Sequence, residues 1–202
     1  MQNAVGKREK TKEAICQALI CLCADRQFKT ITVNEICAKA GIHRSTFYRY
    51  YETLDIMLGE LGEDYFSRLE KAMQRLILDR GPTASRKESF WELAKFYTEN
   101  AELTRFVLFS GNYKPAEQRL FELVKRHYII IFESSGLWVE AKRRDILIDY
   151  QVGGIINCLR NLVMGQYPDI KEVSETLYEI GLTNLQNTYM RRKTRGRQEM
   201  HD

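Results

Sequence analysis

What this chain has little of narrows its class before any motif is read. It has no run of about eighteen apolar residues, so no segment is fit to cross a membrane as a helix. The opening residues, MQNAVGKREKTKEA, lack the apolar core of a signal peptide, which makes the cytoplasm the expected compartment. Prolines number three in 202 residues, leaving room for long unbroken helices. The five cysteines, Cys16, Cys21, Cys23, Cys37 and Cys158, are odd in number and show no C-x-x-C spacing. That pattern argues against a disulfide framework and against a zinc site. They read as small buried residues, since a reactive thiol needs an activating neighbour. The chain also offers no glycine-rich phosphate loop, no cluster of metal ligands and no nucleophile beside a base. No catalytic residue, metal ligand or cofactor is assigned, and an enzyme is not expected.

Charge is uneven along the chain. The net value is +4, but Met1 to Tyr51 holds nine Lys/Arg against four Asp/Glu, a balance of +5. The tail from Arg191 to Asp202 adds +3, which leaves −4 for everything between. A basic head and tail around an acidic middle point to a polyanion partner at one end.

The stretch TVNEICAKAGIHRSTFYRYY, Thr32 to Tyr51, carries the clearest local signal. Val33, Ile36, Cys37 and Ala40 recur at i, i+3, i+4 and i+7, an apolar stripe on a helix of about two turns. Thr32 and Glu35 have the spacing of a capping box. Gly41 supplies the residue with positive φ that ends such a helix. A second helix runs from about Arg44 to Tyr50, too short to stand alone, with Phe47 as its core residue. Arg44, Ser45, Thr46, Tyr48, Arg49 and Tyr50 are then left to face a partner, with Tyr51 turned inward. Two short helices joined this way form a helix-turn-helix, whose second helix enters the DNA major groove.

The periodicity elsewhere is helical throughout, and the expected class is all-α with about nine helices. A first helix is expected from about Arg8 to Arg26, with Ile15, Ala18, Leu19 and Leu22 inward and Lys7, Arg8, Lys10 and Lys12 at its start. Phe28 and Ile31 plug a three-helix core. The segment from Glu52 to Leu78 is one long helix, with Leu58, Leu61, Tyr65, Leu69, Ala72 and Leu76 inward, ended by DRGPTAS at Asp79 to Ser85. Two aromatic-rich helices follow, broken near Asn100. Pro115 opens another, ending in a loop at Ser134 to Trp138. A helix from Ala141 carries Val152, Ile155, Ile156, Leu159 and Val163 on one stripe. Its Gly153 and Gly154 cost about 1 kcal/mol each against alanine, a sign that another backbone comes close. The last helix turns Val173, Leu177, Ile180 and Leu185 inward. His127 reads as a surface or capping group.

The run from Thr32 to Leu58 resembles the TetR/AcrR family of bacterial transcriptional regulators. It carries T-x-x-E-I (Thr32 to Ile36), A-x-A-G-I (Ala38 to Ile42) and S-T-F-Y-R-Y-Y (Ser45 to Tyr51). The resemblance implies a helix-turn-helix domain over residues 1–52 (motif 32–51), a helical effector-binding and dimerisation domain over 53–190, and a basic tail over 191–202. It implies double-stranded DNA with a palindromic operator as partner, a homodimer, and an unknown small-molecule or protein effector. Carried over by position, Thr32 and Tyr48 would hold phosphates, and Arg44 and Ser45 would meet base edges. Thr46, Arg49, Tyr50 and Lys10 complete the expected DNA surface. Three positions depart from the pattern. His43 stands where the family usually has Ser, Tyr50 where it has His, and Leu54 where it has Lys. The lost phosphate contact shifts the load to Lys7, Lys10 and Lys12.

For the effector, Trp91, Tyr97, Phe106, Phe109 and Tyr128 are candidates that can equally be core, and Tyr150 and Asn157 are polar candidates that can equally bond across a dimer. The last two helices would form a four-helix bundle with their copies, through Gly153, Ile156, Leu159, Leu177 and Ile180. Two rivals are an activator controlled by a protein partner and, more distantly, a helical enzyme.

Overall fold

The computed structural model describes residues 2–78, 86–134, 141–167 and 169–180. Among them every regular element is helical and no strand occurs. The helices are α1 (Gln2–Leu22), α2 (Val33–Ala40), α3 (Arg44–Tyr48), α4 (Leu54–Leu78), α5 (Arg86–Glu99), α6 (Ala101–Thr104), α7 (Ala116–Ser134) and α8 (Ala141–Val163), followed by helical residues 170–180. The expected breaks at 79–85 and 135–138 lie outside the described residues, as do Leu185 and the basic tail.

The chain forms two compact units. One comprises Met1–Ser67 with Glu102–Ala116, the other Arg68–Ala101 with Glu117–Asp202. Helix α4 passes from the first into the second without a break.

In the first unit, α1 packs on α2 and α2 on α3. Ile15, Leu19, Ile36, Phe47 and Met57 are wholly buried there, each contributing about 1.5–3 kcal/mol relative to exposure. Ile31 and Tyr51 close this core, and Phe28 is half-buried. Helix α1 starts at Gln2 rather than Arg8 and stops at Leu22 rather than Arg26. Beyond its end, Arg26 bonds the Glu35 carboxylate at 2.5 Å and the Thr30 carbonyl at 2.7 Å.

The segment Glu102–Ala116 belongs to this unit and holds one feature that hydropathy does not signal. Arg105–Phe109 is a π-helical turn, wide enough to bury Phe106, Val107 and Leu108 in succession. The Ser110 hydroxyl bonds the Phe106 carbonyl, and the chain leaves through Gly111 at φ 74°. The segment lies on α4: the Tyr65 hydroxyl donates to Thr104 at 3.1 Å, and the Tyr113 hydroxyl donates to Glu63 at 2.9 Å.

In the second unit, α5 packs on α8, with Leu93, Ala94 and Tyr97 buried on the one and Ile148, Val152, Ile155 and Leu159 on the other. The Tyr128–Phe132 run lies in α7 despite its β-branched residues; read from the sequence as a buried helix, it has Tyr128 buried but Ile130 40% exposed. Two expectations are corrected here. His127 is buried, with Nδ1 2.8 Å from the Leu123 carbonyl one turn back, and burial pushes its pKa down, so the ring is neutral. Ile180 is 48% exposed rather than inward, while Val173 and Leu177 are buried.

Candidate nucleic-acid interface

The helix-turn-helix is built as its residues dictate. Thr32 enters α2 with extended backbone (φ −112°, ψ 156°). Its hydroxyl accepts the Glu35 N–H at 3.3 Å, and the Glu35 carboxylate accepts the Thr32 N–H at 2.8 Å, which completes the capping box. The carboxylate also takes the Thr32 hydroxyl proton at 2.7 Å. With Arg26 on its other oxygen, and Thr32 adding to the effect, Glu35 is lowered to a pKa of about 2. Gly41 ends α2 in the left-handed conformation (φ 66°, ψ 36°), and the Ile42 N–H reaches back to the Cys37 carbonyl at 3.0 Å. His43, where the family usually has Ser, precedes α3 with no side-chain capping bond.

Helix α3 has one residue fully inside, Phe47, against which Tyr51 packs at 5.8 Å and Tyr48 stands edge-on at 5.6 Å between ring centroids. The Arg49 and Tyr50 N–H groups bond three residues back, so the last turn tightens and α3 ends at Tyr48 rather than Tyr50. Arg44, Ser45, Tyr48 and Arg49 are exposed, while Thr46 and Tyr50 are half-buried. Arg44 and Tyr48, one turn apart, are paired: the guanidinium lies 5.7 Å over the Tyr48 ring and donates to its hydroxyl at 3.3 Å. A flexible arginine is thereby held on the solvent face of α3 instead of sweeping through solvent.

The remaining expected DNA residues stand differently. Thr32 is exposed, but its hydroxyl is engaged with Glu35. Lys10 is exposed on α1, two residues and therefore about 200° round the helix from Arg8. Leu54 is half-buried at the start of α4. Lys12 does not supply a free charge: it bonds Glu60 at 2.9 Å and lies 5.2 Å over the Tyr51 ring. Arg8, one of the cations expected at the start of α1, lies 5.9 Å over the Tyr50 ring. Its spacing of four from Lys12 is the signal that finds it.

Comparison with solved structures places this architecture. A TetR-like transcriptional regulator from Rhodococcus sp. RHA1 superposes with a TM-score of 0.60 at 20% identity, over 87% of this chain and 96% of that one. The fold is TetR-like. The dihydroxyacetone kinase operon activator DhaS has the same fold, with a TM-score of 0.59 at 17% identity over 89% of this chain and 98% of its own. No family model matches the chain. Among curated proteins, the uncharacterized HTH-type transcriptional regulator YdgC of Bacillus subtilis (strain 168) is 36% identical over 56 residues, 28% of this chain and 29% of its own. The HTH-type transcriptional repressor LfrR of Mycolicibacterium smegmatis is 34% identical over 77 residues, 38% of this chain and 40% of its own. The chain thus spans less than half the length of the curated relatives it matches.

The residues expected to line an effector pocket are distributed over both units of this TetR-like fold. Phe106 is buried and Phe109 half-buried in the first unit; Tyr97 and Tyr128 are buried in the second, where Trp91 is 37% exposed. Tyr150, at 72% exposure, and Asn157 stand on the outer face of α8. Of the residues expected at a dimer interface, Gly153 and Ile180 are exposed and Ile156 is half-buried, whereas Leu159 and Leu177 are buried within the chain. A Cβ added at Gly153 or Gly154 would meet nothing within 4 Å.

Proposed function

We propose that this chain is a DNA-binding transcriptional regulator that acts as a homodimer on a palindromic operator, as a repressor released by a small-molecule effector. The observation that carries the reading is the solvent face of α3. Arg44 and Tyr48 are paired there on a short helix that Phe47 and the capped α2 hold in place. Arg44, early on α3, has the planar fork that suits a guanine edge, and Tyr48 is assigned to a phosphate; the two Thr32 donors are already spent on Glu35. Two copies of α3 about 34 Å apart would meet successive major grooves.

The exposed face of α8 supports the dimer. Ile146, Tyr150, Gly153 and Asn157 fall on one narrow stripe, and the glycines leave it open to another helix. Effector control is a population shift: a ligand preferring the form with the wrong spacing of recognition helices lowers operator occupancy. The second reading, an activator answering to a protein partner, draws on the activator named among its structural neighbours.

Selection from a randomised duplex pool would give the operator. Arg44→Ala should then relax preference at one position and cost about 1–3 kcal/mol, and wild-type affinity should fall steeply with salt as phosphate contacts release counterions. A flat salt titration would remove the DNA reading. A reporter behind that operator, with and without the protein, decides the sign of regulation.

A further inference from the structure

Helix α1 is longer than the core it serves. Among its described side chains the first buried one is Ile15, yet the helix is already formed at Gln2, and Lys7, Arg8 and Lys10 are exposed on the extra turns. A ladder along one stripe ties these turns down. Arg8 lies over Tyr50 at 5.9 Å, Lys12 over Tyr51 at 5.2 Å, and the Cys16 sulfur is 3.8 Å from the Tyr51 hydroxyl. Positions 8, 12, 15, 16 and 19 share this side of α1, so the ladder continues the core stripe outward to the end of α3. Lys12 has its charge matched by Glu60. No carboxylate among the described residues pairs with Arg8 in the same way. The Arg8 guanidinium carbon is held 5.9 Å from the Tyr50 ring centroid, and a guanidinium presents a planar fork suited to two oxygens of a phosphate.

We infer that Arg8, held on Tyr50, is a second grip on DNA: it binds a backbone phosphate beside the groove that α3 enters. Tyr50 serves as its platform, and the phenol hydroxyl is not the phosphate ligand. The inference rests on the DNA-binding reading above and adds to it a contact from α1, outside the helix-turn-helix motif. The contact is sequence-independent, because a phosphate carries no base identity.

The test uses the full chain and a short labelled mixed-sequence duplex, titrated by fluorescence anisotropy between about 50 and 200 mM salt. Arg8→Ala should lower the slope of log affinity against log salt by about 0.9, the value of one phosphate. Tyr50→Leu should lose the same amount, Tyr50→Phe should bind as wild type, and Arg8→Ala/Tyr50→Leu should be no worse than Arg8→Ala. Should Tyr50→Leu fail to fold, the other two single variants decide the matter. An unchanged slope in Arg8→Ala overturns the inference. A Tyr50→Phe loss as large as that of Arg8→Ala also overturns it, by putting the contact on the hydroxyl. If Arg44→Ala loses operator preference while Arg8→Ala keeps its slope, this inference alone falls; a wild-type chain with no salt-dependent binding takes the regulator reading with it.

Discussion

Glu35 shows how much one side chain settles locally. It returns the Thr32 cap, accepts the Thr32 hydroxyl and receives Arg26, so three bonds converge on one half-buried carboxylate. Those bonds favour the charged form and lower its pKa from the ordinary 4.5 to about 2. The folded state therefore binds this proton less readily than the unfolded chain. The stability that these bonds contribute is fully present above the ordinary value and is lost as pH falls through about 2. Glu35→Gln should melt below wild type near neutral pH, and the gap between the two should close as the pH is taken down toward about 2. A gap in thermal melts that stays constant over this range would show that the charge of Glu35 contributes nothing. Cys16, Cys23, Cys37 and Cys158 are each pushed up by burial, which favours the thiol; of the five cysteines read as buried, Cys37 is buried, Cys16, Cys23 and Cys158 are half-buried, and Cys21 is exposed.

At the scale of elements, α4 carries two glycines one turn apart that behave oppositely. A Cβ at Gly62 would lie 2.5 Å from the Cζ of Tyr113 and 2.7 Å from its two Cε atoms, because that ring lies against the α4 backbone. Gly59 has open space. Alanine is the better helix former by about 1 kcal/mol, so Gly59→Ala should stabilise the protein by about that amount. Gly62→Ala should instead destabilise it by about 1–3 kcal/mol through overpacking. Adding Tyr113→Leu should recover most of that loss, which a double-mutant cycle in urea would read. Equal stabilisation by both glycine replacements would refute the close packing of the Tyr113 ring. This contact also fixes the π-helical segment on α4, together with the bond from Tyr65 to Thr104.

For the molecule as a whole, the exposed apolar side chains of the second unit are concentrated late in the chain. Ile146 and Tyr150 are 71% and 72% exposed, and Met164, Tyr167 and Ile180 also face solvent. A stripe of this kind on α8 is costly in a lone chain and favourable once covered. Placing a charge in it by Tyr150→Glu should convert the proposed dimer to monomer in analytical ultracentrifugation. Operator affinity should fall with it, since one recognition helix then binds without its partner. A variant that stays dimeric would move the interface elsewhere.

The sequence alone determined the all-helical class, the capped helix-turn-helix and the inward turn of Phe47 and Tyr51. Each rests on local rules: helical period, the Thr32–Glu35 spacing, and the positive φ that Gly41 accepts. The tertiary structure decided what depends on residues distant in the chain. Lys12 is withdrawn from the basic surface because Glu60 lies beside it, and Arg8 is aimed because Tyr50 lies beneath it. His127 is neutral because its helix face is covered, and Tyr150 is exposed because its face is not. The π-helical turn likewise depends on what α4 presents to residues 102–116. Periodicity gives each helix its apolar face, but the neighbour that covers that face comes from another part of the chain. Only the folded arrangement tells which charges are matched and which stay exposed.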